Sequence, residues 1–445
     1  MAKLKRTLGL WQLTLIGIGI IIGAGIYVLI GQAAGIAGNA VWASFLLAAV
    51  ASVFTGLSYA ELSSLFPKSG AEYAYVRKTF DQRLAWMVGW LVVLGGFMSA
   101  AVVSLGFANY FSALFNTPVV LTALTAMLAT TFILMSGIRE SAMLTIIFTL
   151  IEAGGLVVII LLGIPYIGSV NYLETASGLG GILEAGTLIF FAFMGFETIT
   201  RLSDETKNPQ KTVPKAIVLS IAITTLIYVL VALSAVSVLG WQALSGSESP
   251  IADIAAHAFG SQAFVALAAV ALFSTSNTIL AIMLTTSRLI YGIAEFGTLP
   301  RALRKISRGN HTPWMAIIAT ALFSMAFVFL GDIKTVANLT NFTVFISFIM
   351  VNACVISLRM KGKECKGCFR TPLTLWKVPL LPVFGILTCL FMLAGVGVEV
   401  FLYGIVLTTA GMLMYELREF SIDHNLFCKE CIRRKHIPVI KAARR

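Results

Sequence analysis

Apolar residues run along this chain in long blocks, separated by short stretches that are polar, basic or rich in glycine and proline. A helix that crosses a bilayer needs roughly 20 predominantly apolar residues. About twelve blocks fit, near residues 11–32, 40–65, 84–113, 119–136, 142–166, 183–202, 212–239, 262–291, 314–330, 335–358, 379–396 and 398–417. The pattern predicts an all-α integral membrane protein of twelve transmembrane helices. Most connections are short, the longer ones lying around 240–261, 66–83 and 292–313. Within the first of these, Ser249-Pro250 followed by Ile251, Ile254, Ala255 and Phe259 predicts a short amphipathic helix on the outer face, serving as a lid or as surface decoration.

Two blocks break the pattern. Gly17-Ile18-Gly19-Ile20-Ile21-Ile22-Gly23-Ala24-Gly25-Ile26-Tyr27 carries four glycines inside the first span, and each glycine in a helix interior costs about 0.5–1 kcal/mol relative to alanine. A break in the helix accounts for them, because unwound backbone at membrane depth is tolerated where it is buried in protein or lines a cavity. Close helix packing through small residues is the other reading. The sixth span repeats the anomaly: Phe190-Phe191-Ala192-Phe193-Met194-Gly195-Phe196-Glu197-Thr198-Ile199-Thr200 sets a glycine and a carboxylate mid-span. Five spans separate the two anomalies, so the broken helices run in opposite directions, as in an inverted-topology repeat. The reading is a membrane domain over 1–417, with 11–166 as first repeat, 183–358 as its inverted counterpart and 379–417 as two additional C-terminal helices. A basic tail follows over 418–445.

Composition agrees: 58% of the 445 residues are hydrophobic and 12% charged, and mean hydropathy is +0.92, outside the range of an average soluble globule. The first block is longer than a signal-peptide core and further spans follow it, so it is read as a retained span. The net charge of +12 does not indicate nucleic acid, because the basic residues lie between apolar spans and form no interleaved aromatic and basic surface. They cluster in alternate loops, with Lys334 the clear exception, which predicts a multi-pass protein of the cell membrane with both termini cytoplasmic.

Three motifs carry a family resemblance. Gly19 to Tyr27, the run Tyr59-Ala60-Glu61-Leu62-Ser63-Ser64-Leu65-Phe66-Pro67-Lys68-Ser69-Gly70-Ala71-Glu72-Tyr73-Ala74-Tyr75, and Phe191 to Glu197 followed by Lys207-Asn208-Pro209 resemble the amino acid–polyamine–organocation transporters over about the first ten spans. The resemblance implies a leucine-transporter-like fold of 5+5 inverted helices with helices 1 and 6 broken. It implies secondary active transport of an amino acid held midway across the membrane, by a monomer or homodimer. A broken helix exposes N–H groups that suit a carboxylate and carbonyls that suit an ammonium. By resemblance, the N–H groups of Gly23, Ala24 and Gly25 hold the substrate carboxylate. The carbonyls of Ile21, Phe191, Ala192 and Met194 receive its amino group, and Phe191 is the aromatic gate. Apolar lining by Phe191 and Met194 favours neutral amino acids; cationic substrates, an exchanger and an amino acid sensor are the alternatives.

Ionisable groups at bilayer depth are functional by default. Glu152 lies inside span 5, where the resemblance places a lysine in proton-coupled members. The glutamate departs from that pattern and is read as a proton acceptor, with sodium coupling or a structural hydrogen bond between helices as alternatives. The carbonyls of Gly19 and Ile22 and the hydroxyls of Ser274 and Thr275 match the family's cation pocket in position. Glu61, Glu197 and Arg201 are read as parts of an inner gate, and His257 in the outer loop as solvated. Cys354 and Cys389 lie in spans and are read as apolar packers. Cys365-Lys366-Gly367-Cys368 and Cys428-Lys429-Glu430-Cys431 supply four thiolates on one predicted side, a candidate structural zinc site, against free thiols or a disulfide. No phosphate loop and no H-E-x-x-H motif is present, and nothing points to an enzyme or to a required cofactor.

Overall fold

The structure is a computed structural model that describes residues 8–66, 71–136, 142–295, 297, 299–307, 312–330, 332–362 and 368–423. The described chain is almost entirely helical. Eight stretches are long and apolar enough to cross a membrane, and Leu10–Ile22, Val119–Met135, Trp314–Val328 and Leu380–Leu393 are shorter apolar helices. The chain is an all-α, multi-pass membrane protein.

The first apolar block is divided into α1 (Leu10–Ile22) and α2 (Gly25–Ala37). A short 3-10 turn, Gly38–Ala40, leads into α3 (Val41–Leu65). Next come α4 (Ala71–Thr79), α5 (Gln82–Phe115), α6 (Val119–Met135) and α7 (Ala142–Gly163). The second division separates α8 (Gly178–Phe193) from a 3-10 segment, Phe196–Glu205. After it run α9 (Pro209–Ser245), α10 (Pro250–Phe259), α11 (Ser261–Glu295), α12 (Trp314–Val328) and α13 (Ile333–Met360). A two-residue hairpin, β1 (Thr374–Leu375) with β2 (Val378–Pro379), precedes α14 (Leu380–Leu393) and α15 (Val398–Asp423).

Local chemistry sets these boundaries. The Asp81 carboxylate accepts from the Leu84 amide and caps α5, and Asp332 accepts from Lys334 and Thr335 at the start of α13, satisfying orphan N–H groups of the first turn. Proline opens α9 and α10 at a position where its missing N–H removes no bond. Gly240, at φ 73°, kinks α9 where the apolar block was expected to end at 239.

Two packed groups meet at the breaks. In one, α8 packs on α1, α2 and α3, and those three pack on α9; in the other, α5 is the central post, packed by α6, α11, α12 and α13. Helix α7 bridges them through α1, α9 and α11. Helix α15 lies at the periphery, tied to α5 by the indole N–H groups of Trp86 and Trp90, which donate to the carbonyls of Gly411 and Leu407 at 2.8 and 2.9 Å. Lys334, the exception in the charge pattern, pairs with Glu184 at 2.8 Å. Cys354 and Cys389 are buried and free, as their positions implied.

The expected outer-face helix is α10, whose Pro250, Ile251, Ala252, Ile254 and Ala255 are buried while His257 is exposed. It is a docked part of the fold. Helix α4 and the β1–β2 hairpin were not expected; both are too short to stand out in a search for apolar spans.

Candidate functional site

The two helix breaks lie against each other. Helix α1 ends at Gly23, which adopts φ 30° and donates its N–H to the Gly19 carbonyl at 3.1 Å; α2 begins at Gly25. Helix α8 ends at Phe193, Met194 is extended, and Gly195 turns to φ 115° before the 3-10 segment. A Cβ on Gly25 would stand 2.6 Å from the Ala192 Cα, and one on Gly195 would stand 2.6 Å from Ile20 Cγ2. Each break therefore has a glycine where the other approaches, and backbone can come this close only without a side chain. Gly17 and Gly19 have another reason to be glycine, since a Cβ there would strike Ser220 and Ile199, or Thr149. Both readings of the glycine run hold, for different glycines.

A Gly25→Val substitution is expected to lower stability by about 1–3 kcal/mol through overpacking. Gly154→Ala on α7, where a Cβ meets nothing within 4 Å, is the control and is expected to raise stability by up to about 1 kcal/mol. Thermal unfolding of both variants against the unaltered protein checks this.

The carbonyls freed at the breaks converge on one phenol. Tyr228 of α9 is fully buried, and its hydroxyl lies 2.9 Å from the Ile21 carbonyl, 3.1 Å from that of Ile22 and 3.0 Å from that of Ala192. A hydroxyl has one proton and donates to one acceptor at a time, so three carbonyl dipoles point at a single donor. Of the carbonyls expected to face an amino group, those of Ile21 and Ala192 are here, while Phe191 accepts from the Met194 amide at 3.3 Å. Among the expected carboxylate donors, Gly23 is bonded to Gly19. Ala24 and Gly25, as N-cap and first residue of α2, have no intrahelical partner for their N–H groups. The Phe191 side chain is buried and that of Met194 half-buried. Tyr228 was not anticipated: a lone tyrosine in the apolar run of α9 reads as core.

Glu152 on α7 is 1% exposed, and its Oε1 accepts from Asn277 Nδ2 of α11 at 3.1 Å. Its backbone carbonyl accepts from the Tyr27 hydroxyl of α2 at 2.7 Å. The Tyr27 carbonyl accepts from the Tyr110 hydroxyl at 2.7 Å, and Tyr110 receives the Ile251 amide of α10 at 3.4 Å. A chain of hydrogen bonds thus runs from the outer helix through α5 and α2 to the backbone of Glu152. Asn277 was missed, although Ser276-Asn277-Thr278 interrupts an apolar span and is a legible signal. The four groups expected to form a cation pocket are not joined by hydrogen bonds to one point. Ser274 donates to the Gly23 carbonyl at 3.0 Å, Thr275 bonds back to Ala271 and Leu272, Gly19 accepts from Gly23, and Ile22 faces Tyr228.

At the far end of α3, Glu61 is buried and held by Arg359 of α13. Arg359 Nε donates to Oε1 at 2.8 Å and Nη2 to Oε2 at 2.7 Å. Oε2 also accepts from the amide and hydroxyl of Thr371, both at 2.8 Å, while Arg359 donates to the Thr371 carbonyl at 3.0 Å and to Thr374 Oγ1 at 2.6 Å. The carboxylate thus gathers α3, α13 and the connector toward α14. Among the three residues expected at an inner gate, the structure gives Glu61 this partner. Glu197 accepts the Gly195 amide at 2.9 Å at the second break. The Arg201 side chain lies outside the described residues. Of the four cysteines in C-x-x-C pairs, Cys365, Cys428 and Cys431 lie outside the described residues and Cys368 is disulfide-bonded. A disulfide sulfur is no thiolate ligand, so a zinc site would require Cys368 to be reduced. Among the described residues no group of three or more metal-ligating side chains occurs.

A family model described as amino acid permease matches residues 8–416. The chain is 30% identical to a branched-chain amino acid permease, BcaP, of Bacillus subtilis, over 95% of this chain and 94% of that one. It is 30% identical to a methylthioribose transporter of the same organism over 96% of both chains. To a vacuolar cationic amino acid transporter of Arabidopsis thaliana it is 30% identical over 80% of this chain and 64% of the relative.

Proposed function

The chain belongs to the amino acid permease family, within the amino acid–polyamine–organocation superfamily, and from that premise we propose secondary active transport of a neutral amino acid by alternating access, coupled to protons at Glu152. The observation that carries this reading is the pair of breaks, apposed at Gly25–Ala192 and Gly195–Ile20, with carbonyls from both turned to one point. Two peptide N–H groups at the start of α2 suit a carboxylate, and convergent carbonyls suit an ammonium. Backbone groups of this kind select the headgroup common to all amino acids. The neutral class is supported by the apolar residues around the breaks and by the branched-chain permease among the relatives.

The architecture in this reading has twelve crossings, α1 with α2 counted as the first and α8 with the 3-10 segment as the sixth. It pairs 11–166 with an inverted 183–358, adds 379–417, and sets both termini in the cytoplasm of a cell-membrane protein. The end that carries Glu61 and Arg359 is then cytoplasmic.

Uptake of labelled leucine into proteoliposomes, driven by an inward proton gradient, tests the function. Accumulation that collapses with the gradient is expected, and equal uptake without it sinks proton coupling. A cationic substrate is the second reading, favoured by the buried carboxylate of Glu152 and by a relative named for cationic amino acids; lysine uptake that outruns leucine decides for it.

Tyr228→Phe removes the donor shared by the three carbonyls. The unliganded protein is expected to lose about 1–3 kcal/mol of stability, the cost of leaving buried acceptors unsatisfied. The thermal shift on adding substrate is expected to grow, because the ammonium restores a donor. A shift unchanged from wild type removes Tyr228 from the binding site.

A further inference from the structure

The connector between α13 and α14 carries features that transport does not explain. Arg359 and Lys377 bound a stretch with six lysines and arginines and one acidic residue. Its hairpin pairs Thr374 with Pro379 and Leu375 with Val378. Leu373, Trp376 and Lys377 adopt φ of 60°, 59° and 117°, a left-handed conformation that non-glycine residues disfavour. That backbone turns large apolar groups outward: Trp376 is 91% exposed, Leu373 63% and Leu375 57%. Behind the hairpin is a cavity of about 520 Å3, lined among others by Arg359, Arg370, Trp376 and Lys377. Glu61, also in its wall, is paired with Arg359, and Lys377 adds a further positive charge to the lining.

The position of the hairpin decides what meets this surface. Helix α14 begins at Leu380, directly after β2, so the exposed side chains sit at the height where a membrane helix enters the bilayer. Tryptophan favours that interface, exposed apolar groups mark contact surfaces, and juxtamembrane basic residues attract anionic headgroups. We propose that the hairpin and the cavity behind it form a binding site for an anionic phospholipid, with Trp376, Leu373 and Leu375 among the acyl carbonyls and Lys377 on the headgroup phosphate. This rests on the sidedness set out under the proposed function. Because Thr371 and Thr374 of the same connector hold Arg359, an occupied site steadies the Glu61–Arg359 contact.

The test uses the full-length protein in detergent, with native mass spectrometry and thermal unfolding after addition of phosphatidylglycerol, phosphatidylcholine or inorganic phosphate. Phosphatidylglycerol is expected to remain bound and to raise the unfolding temperature, while the other two do neither. In a Trp376→Ala, Lys377→Glu double variant the retained phosphatidylglycerol is expected to fall several-fold, and Trp376→Phe, Lys377→Arg is expected to restore it. Equal retention in both variants and wild type overturns the proposal. Stabilisation by inorganic phosphate alone overturns it in favour of a soluble anion site. Neither readout needs flux, so a protein that retains lipid but transports nothing refutes the transport reading and leaves this site standing.

Discussion

Arg359→Ala is expected to destabilise the protein by about 3–5 kcal/mol, because it leaves a buried carboxylate without its cation. The Glu61 side chain is 4% exposed and that of Arg359 13%, and without Arg359 the carboxylate keeps only its two bonds from Thr371 among those described. The pair is bidentate, a geometry in which two parallel bonds fix the planes of both groups. Arg359→Lys is expected to recover only part of the loss, since an ammonium cannot form the fork. The double variant Glu61→Ala, Arg359→Ala is expected to be more stable than Arg359→Ala alone, because the unpaired charge is gone. A double-mutant cycle of unfolding free energies checks this. Additive effects of the two substitutions would show that the contact contributes no coupling.

The second large effect is expected at Glu152. Glu152→Gln keeps the shape of the side chain and an oxygen to accept from Asn277, yet it can no longer gain and lose a proton. Substrate binding, read as ligand stabilisation, is expected to persist, while uphill uptake driven by a proton gradient falls to the equilibrated level. Asn277→Ala tests the environment of the carboxylate: it removes the donor at 3.1 Å and is expected to alter the pH profile of uptake with little change in its maximum. Full accumulation by Glu152→Gln in proteoliposomes would take the residue out of the coupling step.

The breaks were legible because glycine in an apolar helix has few explanations, and here two of the positive-φ glycines, Gly23 and Gly195, fall inside the two anomalous runs. Glu152 was legible because charge at bilayer depth is costly. What escaped notice depends on contacts across the chain. Glu61 reads as part of a gate, but its partner Arg359 lies 298 residues away and nothing local in the sequence joins the two. The Tyr228 hydroxyl meets carbonyls more than 200 residues away, and a buried tyrosine has no local pattern that separates a structural role from a polar one. Helix α4 and the β1–β2 hairpin were invisible for a different reason: elements this short carry no readable hydrophobic period.

The single proton of Tyr228 gives the core an unusual tolerance. With acceptors from α1 and α8 at 2.9 to 3.1 Å, rotation about one C–O bond hands the hydrogen bond from one broken helix to the other. Small sliding of α1 against α8 therefore need not strand the buried donor, because an acceptor from one or other broken helix stays within its reach.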